Sequence, residues 1–158
     1  MPTSLRLVDI TRDNFDAVAC LAVHDHQRDF LASNSYSIAE ASFNPALRTR
    51  AVFVEDRPVG FIMYVVPEAD DDEPGCYGIW RFMIDRACQG FGYGRAALSA
   101  VLREIESNGD AIKIFISYKQ DNEFAKRFYE SFGFEEDGID SDSNEMVAAL
   151  DPRRGRPG

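Results

Sequence analysis

An α/β fold is the class this sequence predicts, on three observations. Residues 51–55 and 59–66 are rich in β-branched and aromatic residues on either side of Asp56-Arg57-Pro58, the pattern of an antiparallel hairpin. Residues 77–85 read as another strand, which runs into Gln89-Gly90-Phe91-Gly92-Tyr93-Gly94 and then into a helix over 95–105. Strand and helix patterns go on alternating after that turn. The 158 residues suit one ordinary domain, and no linker rich in Ser, Gly or Pro divides them. Residues 1–150 are therefore expected to form one domain, with 151–158 a loose tail.

In chain order, residues 5–10 alternate well enough for a first strand. Thr11 or Asp13 then caps a helix whose apolar stripe is Phe15, Val18, Ala19, Leu21 and Ala22. Residues 24–35 turn polar. Ser37-Ile38-Ala39-Glu40 has the spacing of a capping box for a second short helix, which should stop before Pro45. The hairpin follows, and then Asp70, Asp71, Asp72, Glu73 and Pro74 make an acidic loop, either a solvated surface or an attractor of polycations. In the helix after the glycine turn, Ala96, Ala97, Leu98, Val101, Leu102 and Ile105 form one stripe, ended by Asn108-Gly109. Ile112, Ile114 and Ile116 mark a strand, and Asp121 or Asn122 caps a helix through Phe124, Ala125, Phe128 and Tyr129 that ends at Gly133. Residues 134–136 and 145–149 close the chain as a pair of strands.

Composition removes several functions. No apolar run approaches the roughly 20 residues of a membrane span, and the amino terminus lacks a signal-like segment, so a cytoplasmic protein is expected. Cys20, Cys76 and Cys88 have no paired spacing, and His24 and His26 stand without further ligands, so no metal is expected. A formal charge of -10 disfavours nucleic acid and anionic membrane as partners and suits a cationic small molecule.

The glycine stretch carries the chemistry. Alternate glycines leave the backbone free of Cβ atoms, so that successive N–H groups can face one anion at the positive end of a helix. A nucleoside triphosphatase loop would end in Gly-Lys-Ser/Thr, whereas this turn ends Gly94-Arg95-Ala96. A dinucleotide fold would place its glycines after an early strand of a parallel sheet, not past mid-chain behind an antiparallel hairpin.

Gln89, Gly92 and Gly94 resemble the Arg/Gln-x-x-Gly-x-Gly/Ala pyrophosphate turn of the GCN5-related N-acetyltransferases. Asn122, Ala125, Phe128, Tyr129, Gly133 and Phe134 match a second signature of that family in the right order and spacing. The resemblance implies a mixed, mostly antiparallel sheet flanked by about four helices, with the strand Arg81-Phe82-Met83-Ile84-Asp85 splayed from its neighbour. It implies acetyl-CoA as co-substrate, held by Gln89, Gly90, Phe91, Gly92, Tyr93, Gly94 and Arg95 at the diphosphate, by Phe82, Met83 and Ile84 along its arm, and by Asn122 and Ala125. It also implies Tyr129 as the acid that protonates the leaving thiolate, whereas spacing alone favours Tyr129 packing on the helix face with Phe128 and Ala125. A homodimer is expected on the same ground.

Residues 27–34, with Ser37, Ala39 and the strand 81–85, are further similar to bacterial spermine/spermidine acetyltransferases, which points to a polycationic primary amine as acceptor. Trp80, Tyr36 and Glu55 are candidate acceptor-binding residues, the aromatics serving equally as core. Glu55, Glu68, Glu145 and the acidic loop are unranked candidates to take the amine's proton. Rival readings are an acetyltransferase for another amine (an aminoglycoside, an amino acid or a protein terminus) and a non-catalytic acetyl-CoA sensor.

Overall fold

The computed structural model describes residues 4–30, 33–68 and 73–154. Asp70, Asp71 and Asp72 of the acidic loop, Leu31 and Ala32, and the last four residues of the tail lie outside them. One seven-stranded sheet organises the described chain, in the order β1-β2-β3-β4-β5-β7-β6. The strands are β1 Leu5–Asp9, β2 Leu47–Val54, β3 Arg57–Val65, β4 Cys76–Ile84, β5 Lys113–Tyr118, β6 Glu135–Ile139 and β7 Met146–Leu150. Only β4 and β5 run parallel. Helices α1 Phe15–Ala19 and α2 Asn34–Phe43 precede the hairpin, α3 Tyr93–Glu106 crosses from β4 to β5, and α4 Glu123–Glu130 follows β5.

The sheet is covered on both faces. Leu98, Val101, Leu102 and Ile105 of α3 are fully buried with Ile62, Ile79, Ile114 and Ile116 in one apolar cluster. Each such side chain contributes about 1.5–3 kcal/mol by leaving water. Val18 of α1, with Leu47, Ala51, Phe61, Met63 and Met83, forms a smaller cluster on the other face.

Three expectations about the amino-terminal half are corrected. Helix α1 is entered at Asn14, whose side chain accepts from the Thr11 N–H at 2.8 Å, rather than capped by Thr11 or Asp13. It stops at Ala19 because the Ala22 backbone is spent elsewhere: its N–H donates to Asp85 Oδ1 at 2.9 Å and its carbonyl accepts from Arg86 N at 2.8 Å. Helix α2 is capped by Ser33, which accepts from Tyr36 N at 3.1 Å, and Ser37 is buried within it. The hairpin turn is Glu55-Asp56, with Glu55 at φ 55°; Arg57 and Pro58 already belong to β3. Pro58 is tolerated there because the β2–β3 register shifts between Val52 and Phe53, its partner, so a missing N–H falls at an irregularity.

A second irregularity matters more. Met63 pairs with Arg81 but Tyr64 pairs with Ile79, leaving Trp80 as an extra residue in β4. This bulge reverses the sidedness of the strand. Tyr77 and Ile79 belong to the α3-side cluster, yet beyond Trp80 it is Phe82 and Ile84 that pack there, while Met83 faces α1.

Candidate active site

Bulges bend a strand and raise its twist, and just past Trp80 the sheet opens. β4 and β5 pair from Cys76–Lys113 to Ile79–Ile116 and no further. β4 nevertheless continues to Ile84 along β3, and β5 to Tyr118 along β7. The two strands part like the arms of a V, and the β4 edge over 81–84 faces the gap. Such an edge offers N–H and C=O groups to an extended ligand, as a missing strand would.

The glycine turn lies directly beyond. Gly90 and Gly92 adopt φ 86° and 83°, and Gly92 is the residue before α3. A Cβ at either would meet nothing within 4 Å, so glycine is required there for conformation and not for space. The first intrahelical bond joins Ala96 N to Gly92 O at 3.2 Å. The amides of Tyr93, Gly94 and Arg95 therefore have no acceptor within the helix and point out of its positive end. That is a cradle for an anion.

Two side chains flanking the turn are held by the protein. Gln89 Nε2 donates to Ile84 O at 2.9 Å and to Gln27 Oε1 at 3.1 Å. Arg95 donates to Ser131 Oγ at 2.9 Å and lies 4.6 Å over the Phe132 ring. Its guanidinium is thus directed to the end of α4. Phe91 is exposed and stacks on Tyr93 with ring centroids 5.8 Å apart.

Across the gap stands α4. Asn122 caps it, accepting from Ala125 N at 3.1 Å, and Ala125 packs at the rim of the main core. Phe128, which the sequence reading did not single out as functional, joins three elements. It stacks on Phe82 of β4 and Phe124, and a Cβ on Gly94 of α3 would stand 3.8 Å from its ring. The recurrence Phe124, Phe128, Phe132 on one helix face was the available signal.

Tyr129, next to it, is buried among Tyr118, Phe128 and Phe134. Burial, and secondarily Tyr118, pushes its phenol well above the ordinary tyrosine value. Tyr118 is itself pushed up to about 12 by burial and by Glu136, to which its hydroxyl donates at 3.3 Å. Tyr129 is thus protonated throughout the neutral range and suited to give a proton rather than take one.

On the opposite face, past the bulge, Arg81 reaches α2 and pairs with Glu40 at 3.2 Å. Trp80 is 44% exposed, its indole over Gly78. Tyr36, one helical turn before Glu40, is 61% exposed. The pairing of Arg81 with Glu40 was not foreseen from sequence, because nothing local links residues 41 positions apart. Glu55 does not join this group. It sits in the β2–β3 turn beside a shallow cavity of about 420 Å³ lined also by Val54, Asp56, Arg57, Val59 and Tyr93. Along β3, the Glu55 turn and the Trp80 bulge are separated by seven residues, about 23 Å of strand.

Among the described residues, no group of three His, Cys, Asp or Glu side chains could hold a metal ion, and no helix is long and apolar enough to cross a membrane.

The parted parallel strand pair and the unpaired helix start together offer backbone groups to a long, partly anionic molecule. Comparison with known proteins gives this arrangement a family. Residues 7–134 match the model of the acetyltransferase (GNAT) family. The chain is 30% identical over 137 residues to the spermine/spermidine N(1)-acetyltransferase of Bacillus subtilis, covering 85% of this chain and 90% of that one. Among solved structures it superposes on aminoglycoside acetyltransferase AAC(6')-Ib in complex with coenzyme A at TM-score 0.78 and 17% identity, covering 95% and 96% of the two chains. It also matches the PaiA N-acetyltransferase of Thermoplasma acidophilum, again with coenzyme A, at TM-score 0.70 and 12% identity over 94% and 99%. The chain belongs to the GNAT family of N-acetyltransferases.

Proposed function

We propose that this enzyme transfers the acetyl group of acetyl-CoA to a primary amine of a polyamine, spermidine or spermine. The observation that carries the donor half is the opening of β4 from β5 beside the Gly90–Arg95 amides, which fits a pantetheine arm laid against a strand edge and a diphosphate on a helix start. When bound, acetyl-CoA supplies an activated acyl carbon and a thiolate leaving group. Backbone of Phe82, Met83 and Ile84 aligns the arm, and an N–H on that edge polarises the acyl oxygen. Tyr129 gives its phenolic proton to the sulfur as the carbon–sulfur bond breaks and the carbon–nitrogen bond forms.

The acceptor nitrogen must be neutral to attack. An alkylammonium with a pKa of about 10.4 is deprotonated to only about one part in 10³ at pH 7, a cost of roughly 4.6 kcal/mol. Removal of that proton through water to a carboxylate falls to the acceptor side. Support for a polyamine comes from the Bacillus relatives and from the net charge of -10, which favours approach of a polycation. Trp80 and Tyr36 offer it exposed aromatic faces. The domain acts as a dimer in the cytoplasm on this reading.

The test is release of free thiol from acetyl-CoA with a panel of amines: spermidine, spermine, kanamycin, lysine and a peptide amino terminus. Fastest turnover with a polyamine is expected. Turnover only with another amine would replace the acceptor and leave the donor site standing. Binding of acetyl-CoA without turnover on any amine would favour a sensor.

A further inference from the structure

Segments 22–27 and 84–89 are far apart in sequence and laced together in space. Ala22 exchanges hydrogen bonds with Asp85 Oδ1 at 2.9 Å and Arg86 N at 2.8 Å. Three residues after Arg86, Gln89 and Gln27 form a reciprocal amide pair: Gln89 Nε2 donates to Gln27 Oε1 at 3.1 Å, and Gln27 Nε2 returns a longer bond to Gln89 Oε1 at 3.4 Å. Gln89 has two amide hydrogens. One goes to Gln27, the other to Ile84 O at 2.9 Å, so both donors are used and the amide plane is fixed. Gln27 is fixed in turn, because its Oε1 also accepts from His24 N at 3.1 Å.

We propose that Gln27 is a positioning residue for the donor site: by holding the Gln89 amide it presets the path of the turn from Ile84 to Gly90, and with it the direction of the anion-binding amides. This rests on the reading of that turn as the acetyl-CoA diphosphate site. Gln27 acts through Gln89, whose bond to the last β4 carbonyl closes the connection between the strand edge and the turn. Without its partner, the Gln89 amide keeps one bond and regains rotation, and ordering the turn is left to the ligand. The same segment leads into α2, which carries Tyr36 and Glu40.

The experiment is a comparison of Gln27→Met, Gln89→Met and the double variant in the full chain, by calorimetric titration with coenzyme A, steady-state kinetics and thermal unfolding without ligand. Gln27→Met should weaken coenzyme A about fivefold, the factor a neutral hydrogen bond is worth. It should raise KM for acetyl-CoA in step and leave kcat at saturating donor essentially unchanged. The double variant should be no weaker than Gln89→Met alone, because the two side chains act as one unit. Unchanged coenzyme A affinity in Gln27→Met, or additive losses in the double variant, would overturn the proposal. So would a loss confined to thermal stability. Should Gln27→Met fail to fold, Gln27→Asn, an amide one methylene short, is read by the same criteria. A wild-type protein that does not bind coenzyme A would remove the donor-site reading itself, an outcome distinct from binding that ignores Gln27.

Discussion

The regions proposed for donor and acceptor are built from different materials. On the proposed donor side the groups on offer are backbone: an unpaired strand edge and the amides of a helix start, with the Arg95 guanidinium turned onto α4. On the proposed acceptor side they are side chains gathered from α2 and the β4 bulge: Tyr36, Glu40, Trp80 and Arg81. A backbone site depends on conformation and can be read from glycines and their spacing. A side-chain site depends on which distant residues meet, and substitution changes it residue by residue.

The largest effect that would test this division is chemical. Tyr129→Phe should lower kcat about 100-fold or more, the usual contribution of a general acid, while coenzyme A affinity stays within about twofold, since the site proposed for that ligand is backbone. The sign of the pH dependence follows from burial. A phenol raised above its ordinary value of about 10 stays protonated longer, so no loss of kcat assignable to Tyr129 should occur below that pH. An acid limb lost at neutral pH in a kcat profile, or wild-type kcat in Tyr129→Phe, would remove the assignment.

Next come the glycines, where the backbone claim is sharpest. Gly92→Val places a β-branched residue at φ 83°, at about 1–2 kcal/mol, and should weaken coenzyme A about tenfold in calorimetric titration. Gly94→Ala lies within the first turn of α3, where a Cβ meets only ordinary contacts with Phe128 and Ile84, and should leave binding nearly unchanged. Equal losses in the two would mean that space, not conformation, governs the turn.

Smaller effects belong to the acceptor side. Trp80→Ala should raise KM for the amine severalfold, in line with a cation–π contact of about 0.5–2 kcal/mol, with coenzyme A affinity unaltered. A change in coenzyme A affinity instead would assign Trp80 to the bulge's structural role. Smallest of all is Glu55→Gln. Because the turn is remote from the Trp80 bulge, kcat and KM for the amine should both match wild type, and a raised KM would restore Glu55 to the acceptor site.

This contrast also explains what could be read in advance. The order of strands and helices followed from periodicity, and the glycine turn before α3 from Gly90, Gly92 and Gly94, because both are local. Element ends were missed where bonds to distant residues bear on them: α1 ends early because Ala22 serves Asp85 and Arg86, and α2 begins early at the Ser33 cap, with the buried Asn34 tied to Val18. The bulge at Trp80 left no mark in a strand that alternates acceptably either way. Glu55 was a reasonable candidate by charge, but its place is set by a two-residue turn that sequence had put one residue later. Arg81–Glu40 and Gln27–Gln89 are pairs that only the folded sheet brings together.

The division is tested most directly by amide proton and nitrogen chemical shifts during separate titrations with coenzyme A and spermidine. Coenzyme A should move the backbone amides of Gly90–Arg95 and of Phe82–Ile84, and spermidine alone should leave them in place while moving the Trp80 indole N–H. Coenzyme A shifts that avoid the glycine turn would contradict the assignment of that backbone to the donor.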